Sequence, residues 1–160
     1  MMTRWLIVVA FALFLVNTQT VRADLVAMPG WVVHKTQHSY ADLVDRLDQA
    51  VKANKMGVVS RASATVGAKK VLKQDIPGNM VVGVYHPRYA VRMLEASIPA
   101  GIEAPVRFYI TENDDGTASL SYKLPTAVFA PYADGGEALK DMAAELDAVF
   151  DAIARQAAGN

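Results

Sequence analysis

Val106-Arg107-Phe108-Tyr109-Ile110-Thr111 and Ala118-Ser119-Leu120-Ser121-Tyr122-Lys123-Leu124 alternate apolar with polar side chains at a period of two. That period belongs to half-buried β-strands, in which successive side chains point to opposite faces. Val106, Phe108 and Ile110 share one face of the first segment. Ala118, Leu120, Tyr122 and Leu124 share one face of the second. Between them lies Asn113-Asp114-Asp115-Gly116, four residues that accept turn geometry, with Gly116 free to take positive φ. The pair therefore reads as an antiparallel hairpin whose apolar face something else must cover. Tyr109 points away from Phe108 and Ile110, toward the opposite face.

Outward from the hairpin, Met80-Val81-Val82-Gly83-Val84-Tyr85 is apolar at nearly every position, which predicts an interior strand covered on both faces. His86 closes it, and Pro87 stands at the first position of a short helix, where a missing N–H costs nothing. Ala90, Val91, Met93 and Leu94 form the apolar face expected of that helix. Further upstream, Trp31-Val32-Val33-His34-Lys35-Thr36 is aromatic and β-branched, so a first strand. Ser39 followed by Asp42 marks a helix start. Leu43, Val44, Leu47, Ala50 and Val51 then recur at helical spacing over residues 40–54. Residues 56–61 read as a second strand, and residues 62–73 suit either a short helix or a continued strand. Downstream, residues 125–132 form an apolar, proline-stiffened loop in which Val128 and Phe129 are expected to plug the core. Leu139, Met142, Leu146, Val149, Phe150 and Ile153 fall on one stripe of a long last helix, which is expected to lie across the hairpin. The fold class is α+β: one domain, a curved antiparallel sheet of about five strands, backed by that helix and one N-terminal helix.

The N-terminus has a different character. Arg4 precedes an unbroken apolar run at residues 5–16 and a polar segment ending Val21-Arg22-Ala23. This pattern predicts a secretory signal peptide cleaved after Ala23, leaving residues 24–160 as a single globular domain with its core at about 31–156. The run is too short to cross about 30 Å of hydrocarbon as a helix, so no transmembrane span is expected after cleavage. The chain has 16 basic and 16 acidic residues; the leader removes Arg4 and Arg22 and no acid, leaving an excess of two acids. An exported, slightly acidic protein lacks the basic face that nucleic acid requires. Without cysteine, thiol redox chemistry and thiolate metal sites are excluded.

The element order, together with Tyr85-His86-Pro87, the strand Pro105-Val106-Arg107-Phe108-Tyr109 and the turn at Asp115-Gly116, resembles the family of the domain of unknown function 302 over about residues 31–154. The resemblance implies a curved antiparallel sheet backed by helices, of the TATA-binding-protein-like kind. Many members have asparagine where His86 stands and cysteine where Val106 stands, so any role of that cysteine is absent here. The family implies no shared activity, and a fold does not supply one.

Candidate chemistry is sparse. No nucleophile elbow, phosphate loop, haem-attachment motif or HExxH is present. Asp114-Asp115 is explained by its turn, and Gly135-Gly136 by the approach to the last helix. Tyr85, Tyr89, Tyr109, Phe129 and Tyr132 are the candidate lining of a pocket, since tyrosine combines apolar area with a hydroxyl handle. His86, His38 and His34 are the candidate ligands of a haem or divalent metal. His86 is expected to end a strand beside the first one; its plainer role is to cap the helix at Pro87. The residues thus favour a non-catalytic periplasmic or secreted module that binds a small apolar or aromatic ligand or a protein partner. A haem- or metal-binding accessory protein using His86 is the alternative, and a diverged hydrolase or isomerase the third reading. An oligomer is compatible with all three.

Overall fold

The computed structural model describes residues 25–159. The predicted leader and its cleavage site lie outside the described residues. The chain runs β1 (Trp31–Ser39), α1 (Tyr40–Ala53), β2 (Gly57–Ala62), α2 (Ala64–Gly67), β3 (Asn79–Tyr85), α3 (Pro87–Ala96), β4 (Val106–Glu112), β5 (Thr117–Lys123), α4 (Pro125–Phe129) and α5 (Gly136–Ala158). The five strands form one antiparallel sheet in the order β1-β5-β4-β3-β2. Register shifts between Lys35 and Ser39 and between Val58 and Ser60 put bulges in the two edge strands, where they bend and twist the ribbon. Among the described residues no helix is long and apolar enough to cross a membrane.

Each element forms for a local reason. Ser39 Oγ accepts from Asp42 N at 3.2 Å, the N-cap expected of α1. His86 Nδ1 accepts from Arg88 N at 3.1 Å, with Pro87 at the first position of α3. Gly116 takes φ +81° in the hairpin turn, which a Cβ would strain. In the same turn Thr117 donates to Asp115 from both hydroxyl and backbone, and those bonds hold the carboxyl below its usual range.

The core lies on one side of the sheet. Phe108, Ile110, Leu120 and Tyr122 meet Leu43, Leu47 and Val51 of α1 and Met142, Leu146, Phe150 and Ile153 of α5, all buried. Phe150 stacks on Phe108 with ring centroids 4.6 Å apart and planes 13° from parallel, and Tyr122 meets both rings. Burial pushes the Tyr122 hydroxyl up to about 12, with Asp151 and Asp147 adding to the effect. The long helix therefore crosses the hairpin's apolar face as its stripe predicts. Its last carbonyls are capped from elsewhere: Arg46 Nε donates to Ala157 O at 2.7 Å, and His38 Nε2 lies 3.2 Å from Ala158 O.

Several expectations are corrected. β3 is interior, yet helices cover only its Val82 and Val84 face; Val81 on the other face is half-buried. Two strands separate it from β1, so His86 does not end beside the first strand. α3 buries Tyr89 and Met93, while Val91 and Leu94 face solvent at 55% and 47% exposure; α3 packs on α5 through a narrow line, which a four-residue apolar face overestimates. Residues 62–73 resolve as the end of β2, α2 capped by Ser63, and a π-helical turn over Ala68–Leu72. The loop at 125–132 contains α4, whose Thr126 backbone and hydroxyl both donate to Asp147. Phe129 plugs the core, but Val128 is only half-buried and lies toward the opposite side of the sheet.

Candidate functional site

The sheet face that carries no helix is built in transverse rows set by the register. One row is Val33, Ser121, Tyr109, Val81 and Ala62, one residue from each strand. The row beyond it pairs Trp31 with Lys123 and Arg107 with Gly83. Arg107 precedes Phe108 and Lys123 follows Tyr122, and those two neighbours pair, so Arg107 and Lys123 stand level on adjacent strands. On the other side are Lys35, Ser119, Thr111 and Asn79.

The side-chain sizes hollow this face out. Ser121 is a buried floor residue, while Trp31, Tyr109, Arg107 and Lys123 rise around it. Glu103, just before β4, and Val128 of α4 complete the wall of a hollow of about 490 Å³. That size and the mix of apolar wall with a few convergent polar groups are those of small-molecule sites. Gly83 is required at the margin: a Cβ there would lie 2.6 Å from the Pro105 ring and 2.2 Å from Ser60 Oγ.

The polar atoms are held in place. The Asn79 side-chain amide donates to the Tyr109 hydroxyl oxygen, which leaves the tyrosine proton to be donated elsewhere. Lys123 Nζ sits 5.7 Å from the Trp31 ring centroid, within cation–π range. Tyr132 Oη donates to Glu103 Oε1 at 2.7 Å, which raises the tyrosine pKa and fixes the carboxylate in the wall. Among the described residues no histidine lines this hollow, and Ser121 Oγ donates to the Tyr109 carbonyl at 3.4 Å rather than facing a base. The arrangement can bind and orient a molecule; it presents no activated nucleophile.

The structure distributes the five aromatic candidates instead of gathering them. Tyr109 is the one of the five in the open-face hollow. Tyr85, Tyr89 and Phe129, with His86, surround a void of about 30 Å³ beneath α3, the room of about one water. Phe129 and Tyr132 border a groove of about 600 Å³ between α4 and α5, whose walls include Ala130, Ala133, Ala143 and Ala144. Trp31, Arg107, Lys123, Val81 and Asn79 were not singled out from sequence. Their signal was the alternation itself, read for the face opposite the core.

The three histidines occupy separate environments. His86 spends Nδ1 on the α3 cap and meets Tyr89 edge-on at 6.1 Å. His38 bridges Asp42, at 3.0 Å, and the end of α5. His34 points to the core side, its Nε2 buried without a hydrogen-bond partner among the described residues. Burial lowers its pKa, opposed by Asp151 and aided by Arg155. Among the described residues no group of three or more histidine, aspartate and glutamate side chains stands at metal-binding spacing.

Fold and hollow together define an α+β domain with one sheet face covered by helices and the other hollowed out. The chain belongs to the family "Domain of unknown function DUF302", whose profile matches residues 32–157. A crystal structure of an uncharacterized conserved DUF302 protein from Bacillus stearothermophilus has the same fold. It superposes with a TM-score of 0.71 at 19% identity, over 80% of this chain and 98% of that one. No curated protein matches significantly.

Proposed function

We propose that this is an exported, non-catalytic binding module that holds a small apolar or aromatic ligand in the hollow on the helix-free face of its sheet. The observation that carries the reading is the hollow's construction. A floor at the buried Ser121 is ringed by Trp31, Tyr109 and Val81, with hydrogen-bonding groups placed at its edge. Small floor residues between large wall residues leave room that a filled sheet surface lacks, and aromatic walls favour a planar apolar occupant. Export rests on the leader pattern at residues 1–23.

The direct test is native mass spectrometry of the protein purified from its own cell envelope, beside the variant Ser121→Phe, which fills the floor. A bound small molecule on the wild type that is missing from the variant supports the reading. No retained molecule, or the same one on both proteins, refutes it. N-terminal sequencing of the same material checks cleavage after Ala23.

A further inference from the structure

Resting on the ligand-binding reading above, we infer that the open-face hollow selects ligands carrying an anionic group, of the aromatic carboxylate class, read by Arg107 and Lys123. The first observation is the level placement of these two cations on adjacent strands. Like charges directly opposite each other across a sheet destabilise it, and the Trp31 ring near Lys123 offsets this only by a cation–π contact at 5.7 Å. Among the described residues no carboxylate lies within ion-pair distance of either one. Among the described residues every other arginine except Arg88 makes an ion pair or a backbone hydrogen bond, and Arg88 lies over the Tyr89 ring and donates to its hydroxyl.

The second observation is where the two cations stand. They form part of the wall of the hollow, so an occupant meets both. The guanidinium of Arg107 presents a planar fork that matches a carboxylate, and the ammonium of Lys123 adds a point charge. Tyr109, whose hydroxyl oxygen already accepts from Asn79, has its proton to donate toward the same space. The one acid in the wall, Glu103, is tied to Tyr132 and leaves the hollow with an excess of one positive charge. Trp31 and Val81 supply apolar contact for the ligand's body. An aromatic ring bearing a carboxylate satisfies all of these groups together, whereas a neutral ring leaves the facing cations unrelieved.

The test compares 2-naphthoate with its neutral near-isostere 2-naphthamide by isothermal titration calorimetry. The proteins are the wild type, Arg107→Gln, Lys123→Gln and Ser121→Phe, each checked for folding by circular dichroism. Charge-assisted hydrogen bonding at a partly exposed site predicts that the wild type binds naphthoate about tenfold more tightly than naphthamide. Arg107→Gln and Lys123→Gln are each expected to bring the two ligands near parity, and Ser121→Phe to abolish both. Raising the salt is expected to weaken naphthoate selectively. Equal affinities in the wild type, or a preference that survives Arg107→Gln, overturn the anionic selectivity while leaving the binding hollow standing, provided Ser121→Phe still blocks. Absence of binding by either compound, or binding untouched by Ser121→Phe, overturns both.

Discussion

His34 shows how one side chain couples this fold to pH. Its ring faces the core side of β1, Nε2 has no hydrogen-bond partner among the described residues, and burial holds its pKa below the usual 6.5. Between the lowered folded value and about 6.5 the unfolded chain binds more protons, so stability falls as the pH drops through that window and levels off below it. Replacing His34 with leucine removes this contribution. The difference in urea midpoint between pH 7.5 and pH 5 is expected to be smaller in His34→Leu than in the wild type, and equal slopes would refute the assignment. At Leu146 the prediction concerns packing. It is 4% exposed on the inner face of α5, so Leu146→Ala is expected to cost roughly 2–5 kcal/mol. Phe150, stacked on Phe108 and fully buried, is expected to cost roughly 3–5 kcal/mol as alanine. Chemical denaturation measures both.

Among the elements, the excursion from α2 through the π-helical turn behaves differently from the rest. Val66, Val71 and Leu72 are 61%, 74% and 63% exposed there. Its base is pinned by Ser63 Oγ on the Asn79 carbonyl and Thr65 Oγ1 on the Pro77 carbonyl. Leu72→Gln is therefore expected to change stability by no more than about 0.5 kcal/mol, in contrast with Leu146→Ala, and a large loss would show that the excursion packs somewhere in solution. α4 depends on a distant side chain. Asp147 of α5 accepts from both the backbone and the hydroxyl of Thr126. Asp147→Ala strands those donors at a helix start and is expected to cost about 1–3 kcal/mol. Because α4 carries Val128 into the wall of the hollow and Phe129 into the core, ligand affinity is expected to fall with it.

Across the whole molecule, the last turn of α5 is a closing latch. Ala154, Ala157 and Ala158 are buried, and Arg46 donates to the carbonyls of Ala157 and Gln156. A cation at a helix C-terminus also complements its dipole. Arg46→Met keeps the aliphatic stem and removes those bonds; it is expected to lower stability by about 1–2 kcal/mol, read as a drop of a few degrees in Tm by calorimetry. The ligand hollow, on the far side of the sheet, is expected to keep its affinity in that variant, because the sheet separates it from the latch.

Local rules account for what was readable from one chain. Period-two alternation at 106–124 and the 3.6-residue stripes of α1 and α5 report which face each element buries, because burial rewards side chains one by one. Caps such as Ser39 and His86 are satisfied within three residues, so they too are visible in the string. The open face is different. Its rows combine Trp31, Lys123, Arg107 and Gly83 from four strands whose order, β1-β5-β4-β3, follows from long-range pairing. No local pattern states that order, so His86 was expected beside the first strand and five aromatics in one pocket. Register and strand order, fixed by pairing between residues far apart in sequence, put two cations side by side above Ser121, and only the assembled sheet creates that arrangement.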